Sequence, residues 1–242
     1  MVPLPPATTP SPSPSPLVAG ADPVASRSSI HRRLGAAMTK ALVLVILFVV
    51  AGNLLILTAW KWESRHQPPT AAVQVTNFRV VDDHLWRGGA PDDRAYRELA
   101  ANGVTTVVDL RAEDNLNIDT SLLDELGLKL VSIPIRDGQT PTRAQVEQFL
   151  AVVATTQGRV FVHCGAGVGR TGTMVAAYLV HTGEAGGLEA VRQNLSVGPP
   201  SLEQLVFAAS LHGDGTARPP VPVVAASRLL DAPRRLWTRL MD

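Results

Sequence analysis

Residues 41–60, ALVLVILFVVAGNLLILTAW, run for 20 positions without a formal charge, and no other feature restricts the fold of this chain more. As a helix, such a run rises about 30 Å, the thickness of the hydrocarbon core of a bilayer. The run therefore predicts one transmembrane helix over 41–60, with Trp60 and Trp62 where interfacial aromatics stand and Asn53 as its one strongly polar side chain. A cleaved secretory leader fits less well. Forty residues precede the run, its apolar core exceeds the usual length of roughly 7 to 15 residues, and no clear A-x-A site follows it.

The rest of the chain divides by composition around this span. Residues 1–40 begin with 8 of the 19 prolines before position 24, interleaved with Ser, Thr and Ala. Such a stretch cannot bury a core and is expected to be a disordered tail. A tether follows over 61–75 and a folded domain over 76–212. The last segment, 213–242, carries Pro219, Pro220, Pro222 and Pro233 and is expected to be irregular. Its end, with Arg228, Arg234, Arg235 and Arg239 among Leu and Trp, suits either a membrane surface or its own domain.

Composition removes several classes of function. One cysteine in 242 residues excludes a disulfide framework and a multi-cysteine metal centre. A net charge of +1 gives no general attraction to nucleic acid, so none is expected as a partner. Only Lys40, Lys61 and Lys129 among the 22 basic residues are lysine, a skew that points to a GC-rich, bacterial coding sequence.

Between 76 and 212 strands alternate with helices. NFRVV and HLWRG, Val104–Leu110 and Leu128–Ile135 read as strands, with helices at Asp92–Ala101 and Asp119–Leu126 between them. Thr140 reads as the N-cap and Pro141 as the first residue of a helix reaching about Thr156. RVFVHC is the next strand and RTGTMVAAYLVH the next helix. Helices near Gly187–Asn194 and Ser201–Leu211 complete the pattern. The alternation predicts an α/β domain, a largely parallel sheet flanked by helices and preceded by the single transmembrane helix.

The strand RVFVHC leads into GAGVG and a helix opening with Arg170 and Thr171. Backbone N–H groups and a helix N-terminus are thereby set beside the only cysteine, forming an anion cradle whose field favours a nucleophilic thiolate. Arg170 adds a planar fork that grips two phosphate oxygens together. A nucleotide P-loop fails on spacing, because Gly165 and Gly169 are one residue too close and Arg170 replaces the lysine. Gly167, Gly169 and Gly172 do satisfy G-x-G-x-x-G, but no second strand ending in an acidic residue follows about 20 positions on.

His163, Cys164, Gly167, Arg170 and Thr171 match H-C-x-x-G-x-x-R-[ST], and in this respect the chain resembles the cysteine-dependent tyrosine and dual-specificity phosphatases. The resemblance covers about Asn77–Leu211, is similar to a small, membrane-anchored bacterial branch, and includes LWRGGAP, VVDLR, IPIRDG and GPPSLEQ. It implies phosphoester hydrolysis in two steps with no metal or cofactor. Cys164 is the expected nucleophile, and Arg170 with the amides of Gly165, Ala166, Gly167, Val168, Gly169 and Arg170 binds the phosphate. Asp137, on the carboxyl edge of the sheet after the strand ending at Ile135, is the expected general acid, with Asp109 and Asp114 as alternatives. The resemblance further implies that Thr171 stabilises the departing thiolate, that His163 orients the loop, that Asp109 and Arg111 brace it, and that Gln204 positions water.

The variable loop positions Gly165, Ala166, Val168 and Gly169 carry no charge, which disfavours highly charged lipid phosphates. Phosphorylated proteins are the expected substrates, phosphotyrosine ahead of phosphoserine and phosphothreonine. A small-molecule or lipid phosphatase, and a phosphate-binding scaffold with little turnover, are the alternatives. Four basic residues in the 20 positions before the span (Arg27, Arg32, Arg33, Lys40) stand against three after it (Lys61, Arg65, Arg79). That margin of one favours an extracytoplasmic catalytic domain.

Overall fold

The computed structural model describes residues 23–65, 73–112, 118–212 and 218–241. Most of the expected tail (1–22), part of the tether (66–72) and Asp114 lie outside the described residues, as do the side chains of Arg234, Arg235 and Arg239.

Helix α1 runs from Pro23 to Glu63, so residues 23–40 of the segment expected to be disordered are helical. After Pro23, whose fixed φ suits a first helical position, the segment has no further proline, and the strong helix formers Ala and Arg recur in it. Within α1, Ala37–Glu63 is a 27-residue stretch long and apolar enough to cross a membrane, and none of its apolar window is buried.

The domain is built on a five-stranded sheet in the order β1-β2-β5-β3-β4. Strands β2 (Leu85–Gly88), β3 (Val104–Arg111), β4 (Lys129–Ile135) and β5 (Arg159–His163) are parallel to their neighbours. The short β1 (Arg79–Val80) adds antiparallel to β2. Side chains alternate across β5 with period two. Val160 and Val162 enter a core with Phe149, Met174 and Phe207, beneath α4 (Arg143–Thr155), α5 (Gly169–His181) and α7 (Leu202–Ala209). Phe161 enters the opposite core with Tyr96, Leu99 and Leu123, from α2 (Asp93–Ala101) and α3 (Thr120–Glu125). Covered on both faces, the sheet leaves only its carboxyl edge for chemistry.

Two local expectations change. The N-cap of α4 is Thr142, two residues beyond Thr140. Thr142 N–H donates to Gln145 Oε1 (2.8 Å), and Gln145 N–H donates to Thr142 Oγ1 (3.3 Å), a reciprocal box that Thr140 cannot form. Thr140 turns instead to Glu203 Oε1 at 3.5 Å.

The C-terminal segment is also not irregular, since α8 spans Val221–Met241. Pro222 falls in the first turn, where no intrahelical donor is lost, and only Pro233 interrupts the ladder. Val223, Ser227 and Leu230 recur at helical spacing. Ser227 and Leu230 are buried, and Ser227 Oγ accepts the N–H of Glu203 at 3.1 Å. Between α5 and α7 lies α6 (Gly187–Val197).

Candidate active site

Cys164 follows β5 directly, at the centre of the sheet, and its side chain is buried on the face of Val160 and Val162. The next residues fold into a loop and then into α5, whose N-cap Val168 provides no side-chain cap. The first turn of α5 is therefore left without a side-chain acceptor and is suited to an anion.

How the loop is held decides where its amides point. Ala90 N–H donates to Gly165 O (2.9 Å), Asn77 Nδ2 to Ala166 O (2.9 Å), and Arg87 Nη2 to Gly167 O (2.8 Å). Gly172 N–H takes Val168 O at 2.9 Å. In a trans peptide the following N–H points opposite to the carbonyl. Tying the carbonyls outward thus turns the N–H groups of residues 166–169 toward the concave side, beside Cys164. Gly167 holds φ at +74°, and a Cβ there would collide with the backbone of Gly88 and Gly89. Asn77 has φ 56°, a left-handed conformation Asn tolerates, which carries its side chain to the loop.

Arg170 sits in the first turn of α5, and its Nη1 donates to Ile135 O at 3.1 Å. Its Nη2 lies 3.5 Å from Asp137 Oδ1, and Asp137 is half exposed. The expected nucleophile loop, arginine and general acid are therefore brought to one edge. Thr171 is buried in the next position, with its hydroxyl unpartnered among the described residues.

The supporting residues also gather here. Asp109, near the carboxyl end of β3, pairs with His163 in the parallel register. Asp109 is 2% exposed and is gripped by Arg111, with Nη2 2.8 Å from Oδ2 and Nε 3.0 Å from Oδ1. Both of its carboxylate oxygens are thus engaged by Arg111. Burial holds the His163 pKa down to about 4, with Asp109 opposing the shift. His163 Nδ1 lies 3.3 Å from Cys164 O, and the ring stacks on Phe161 at 5.8 Å between centroids. The ring is therefore neutral near pH 7.

Gln204 is buried. Its Nε2 donates to Gln139 O (3.1 Å) and its Oε1 accepts the N–H of Ser201 (3.0 Å), while Ser201 Oγ donates to Gly138 O (3.1 Å). The Asp137 loop is thereby fastened to α7.

Three contributors were not singled out from sequence: Asn77, Arg87 and Asn194. Arg87 is buried in a four-residue strand, LWRG, that is buried throughout. An arginine within so short a buried strand is the signal that could have found it. Burial pulls its pKa down to about 10, against the charge of Cys164, so it stays cationic near neutral pH.

Residues 68–210 match a family model described as DSP-PTPase phosphatase fused to NAD+ kinase. The chain is 38% identical over 119 residues to tyrosine-protein phosphatase cdc-14 of Caenorhabditis elegans, covering 46% of this chain and 16% of that protein. It is 37% identical over 100 residues to the chloroplastic NAD kinase 2 of Arabidopsis thaliana, covering 39% of this chain and 10% of that protein. The matches thus span less than a fifth of either relative. Among solved structures, the core catalytic domain of the S. cerevisiae PP-IP phosphatase SIW14 aligns with a TM-score of 0.51 at 15% identity, over 60% of this chain and 90% of that one. That likeness is one of fold.

Proposed function

The chain belongs to the DSP-PTPase phosphatase family, and from that premise we propose that it hydrolyses phosphate monoesters through a phosphocysteine. One observation carries the reading: Cys164, the uncapped first turn of α5 and the Arg170–Asp137 pair at 3.5 Å meet at one edge of the sheet.

In the first step the Cys164 thiolate attacks phosphorus. The Arg170 guanidinium and the inward amides hold the equatorial oxygens, and Asp137 gives its proton to the leaving oxygen as the P–O bond breaks. In the second step Asp137 takes a proton from water, which displaces the sulfur, and Thr171 donates to the departing thiolate. Gln204, fastened beside Gly169, orients that water. Most of the rate comes from fixed charge and position.

The substrate we infer is a phosphoprotein, phosphotyrosine first, since the loop has no cation beyond Arg170 to favour a polyanionic lipid. The Ala37–Glu63 stretch of α1 anchors the chain as a single span, with the catalytic domain on the extracytoplasmic side by the margin of basic residues.

The test is turnover of p-nitrophenyl phosphate and of a phosphotyrosine peptide by the full chain in detergent. Vanadate should inhibit, and Cys164→Ser should abolish turnover. Asp137→Asn should lower kcat by about 10²- to 10⁴-fold with little change in KM. Full activity in Cys164→Ser sinks the mechanism, and an unchanged rate in Asp137→Asn moves the acid elsewhere.

A further inference from the structure

Between β1, β2, α5 and α6 lies a cavity of about 70 Å³. Its polar lining is Arg79, Arg87, Gln193 and Asn194, and its walls include Val175 and Leu179. No acidic side chain lines it among the described residues.

Arg87 joins the cavity to the catalytic loop. Its Nη2 donates forward to Gly167 O at 2.8 Å and sideways to Asn194 Oδ1 at 3.3 Å. Its Nε is buried with no hydrogen-bond partner among the described residues, and Asn194 Nδ2 is in the same state. Arg87 is 3% exposed and Asn194 1%. Two buried donors, one on a guanidinium, therefore line a space in which neither has an acceptor within hydrogen-bond distance. Buried charge is kept only where it is paired and hydrogen-bonded. The space exceeds the roughly 10–15 Å³ that one water needs. A donor set without a carboxylate selects an anion, and the aliphatic walls select one of low charge that is weakly hydrated.

We propose that this cavity is a second anion site, that it takes a small monovalent inorganic anion of the halide type, and that its occupancy reaches the catalytic loop through Arg87. An anion bound to Nε and to Asn194 Nδ2 fixes the guanidinium whose other arm holds Gly167 O, and so holds the loop amides in their inward orientation. Binding here stabilises and activates, whereas an anion in the catalytic cradle competes with substrate; the two sites act with opposite sign.

The experiment uses the full chain in detergent at constant ionic strength, with sodium bromide replacing sodium gluconate, whose anion is too large for the cavity. Bromide should raise Tm saturably. It should also raise kcat/KM for p-nitrophenyl phosphate by about five-fold, the low end of the coupling usual between linked sites.

Asn194→Asp sets a tethered carboxylate against Arg87 and should abolish the bromide response while placing Tm at or above that of the bromide-saturated parent. Ala190→Leu fills the cavity from α6 and should also abolish the response; whichever variant folds suffices. A parent with no saturable bromide effect on Tm overturns the proposal, as does a response undiminished in a folded variant. The Tm readout needs no turnover, so failure here is distinct from failure of the proposed hydrolysis.

Discussion

His163 and Cys164, the last residue of β5 and the one after it, point to opposite faces of the sheet, and this alternation sets what each can do. Cys164 faces the α5 side and the loop, while His163 faces Phe161 and Asp109 from a fully buried position. Because burial lowers the His163 pKa to about 4 from an ordinary 6.5, the unfolded chain binds more protons than the folded one between those values. Stability is therefore full above about pH 6.5 and falls as pH drops toward 4, by about 3 kcal/mol for this group. Denaturant unfolding of the full chain across that window should show the slope, and His163→Asn should flatten it. An identical slope in the variant would assign the acid sensitivity to other groups.

Single side chains in the signature were legible because their spacing is local. His163, Cys164, Gly167, Arg170 and Thr171 announce themselves within nine positions, and the placing of Asp137 at the same edge as Arg170 follows from the parallel order of the strands. Asn77, Arg87 and Asn194 were not legible. Their partners lie 80 to 107 positions away for Arg87 and 89 for Asn77, and such contacts leave no period in the sequence.

At the scale of elements, apolar alternation placed every strand within a few residues, whereas helix ends depended on which hydroxyl finds an amide. Thr140 and Thr142 are equivalent by composition, and only Thr142 has Gln145 three residues on to complete the box. Thr142→Ala should cost about 1 kcal/mol, read as a lower Tm with kcat unchanged, whereas Thr140→Ala should not fray α4. Equal loss in the two variants would contradict the capping assignment. The C-terminal helix was hidden by its prolines, which were counted rather than placed: Pro222 stands in a first turn, and the burial of Ser227 and Leu230 accompanies the single interruption at Pro233.

For the molecule as a whole, the 20-residue uncharged run and the folded domain answer to different solvents. In the domain, apolar residues are buried in two cores, but along α1 Leu42, Leu44, Leu47, Leu54 and Leu55 stand exposed. An apolar helix exposed in this way needs lipid or another apolar surface to cover it. The full chain should therefore sediment with membranes and resist extraction by carbonate, and a reporter fused after Asp242 should be active only outside the cytoplasm. Activity confined to the cytoplasm would reverse the orientation, and carbonate-soluble chain would remove the anchor.

The outward tethering of the loop carbonyls limits how modular this domain can be. Residues 163–171 form a contiguous word, yet the groups that aim its amides, Asn77, Arg87 and Ala90, belong to the segment that enters the sheet first. Transplanting the word alone into another parallel sheet would carry the nucleophile without its aim. A recombination that exchanged the two halves of the domain anywhere between residues 90 and 163 would have to preserve a fit that neither parent's half encodes by itself.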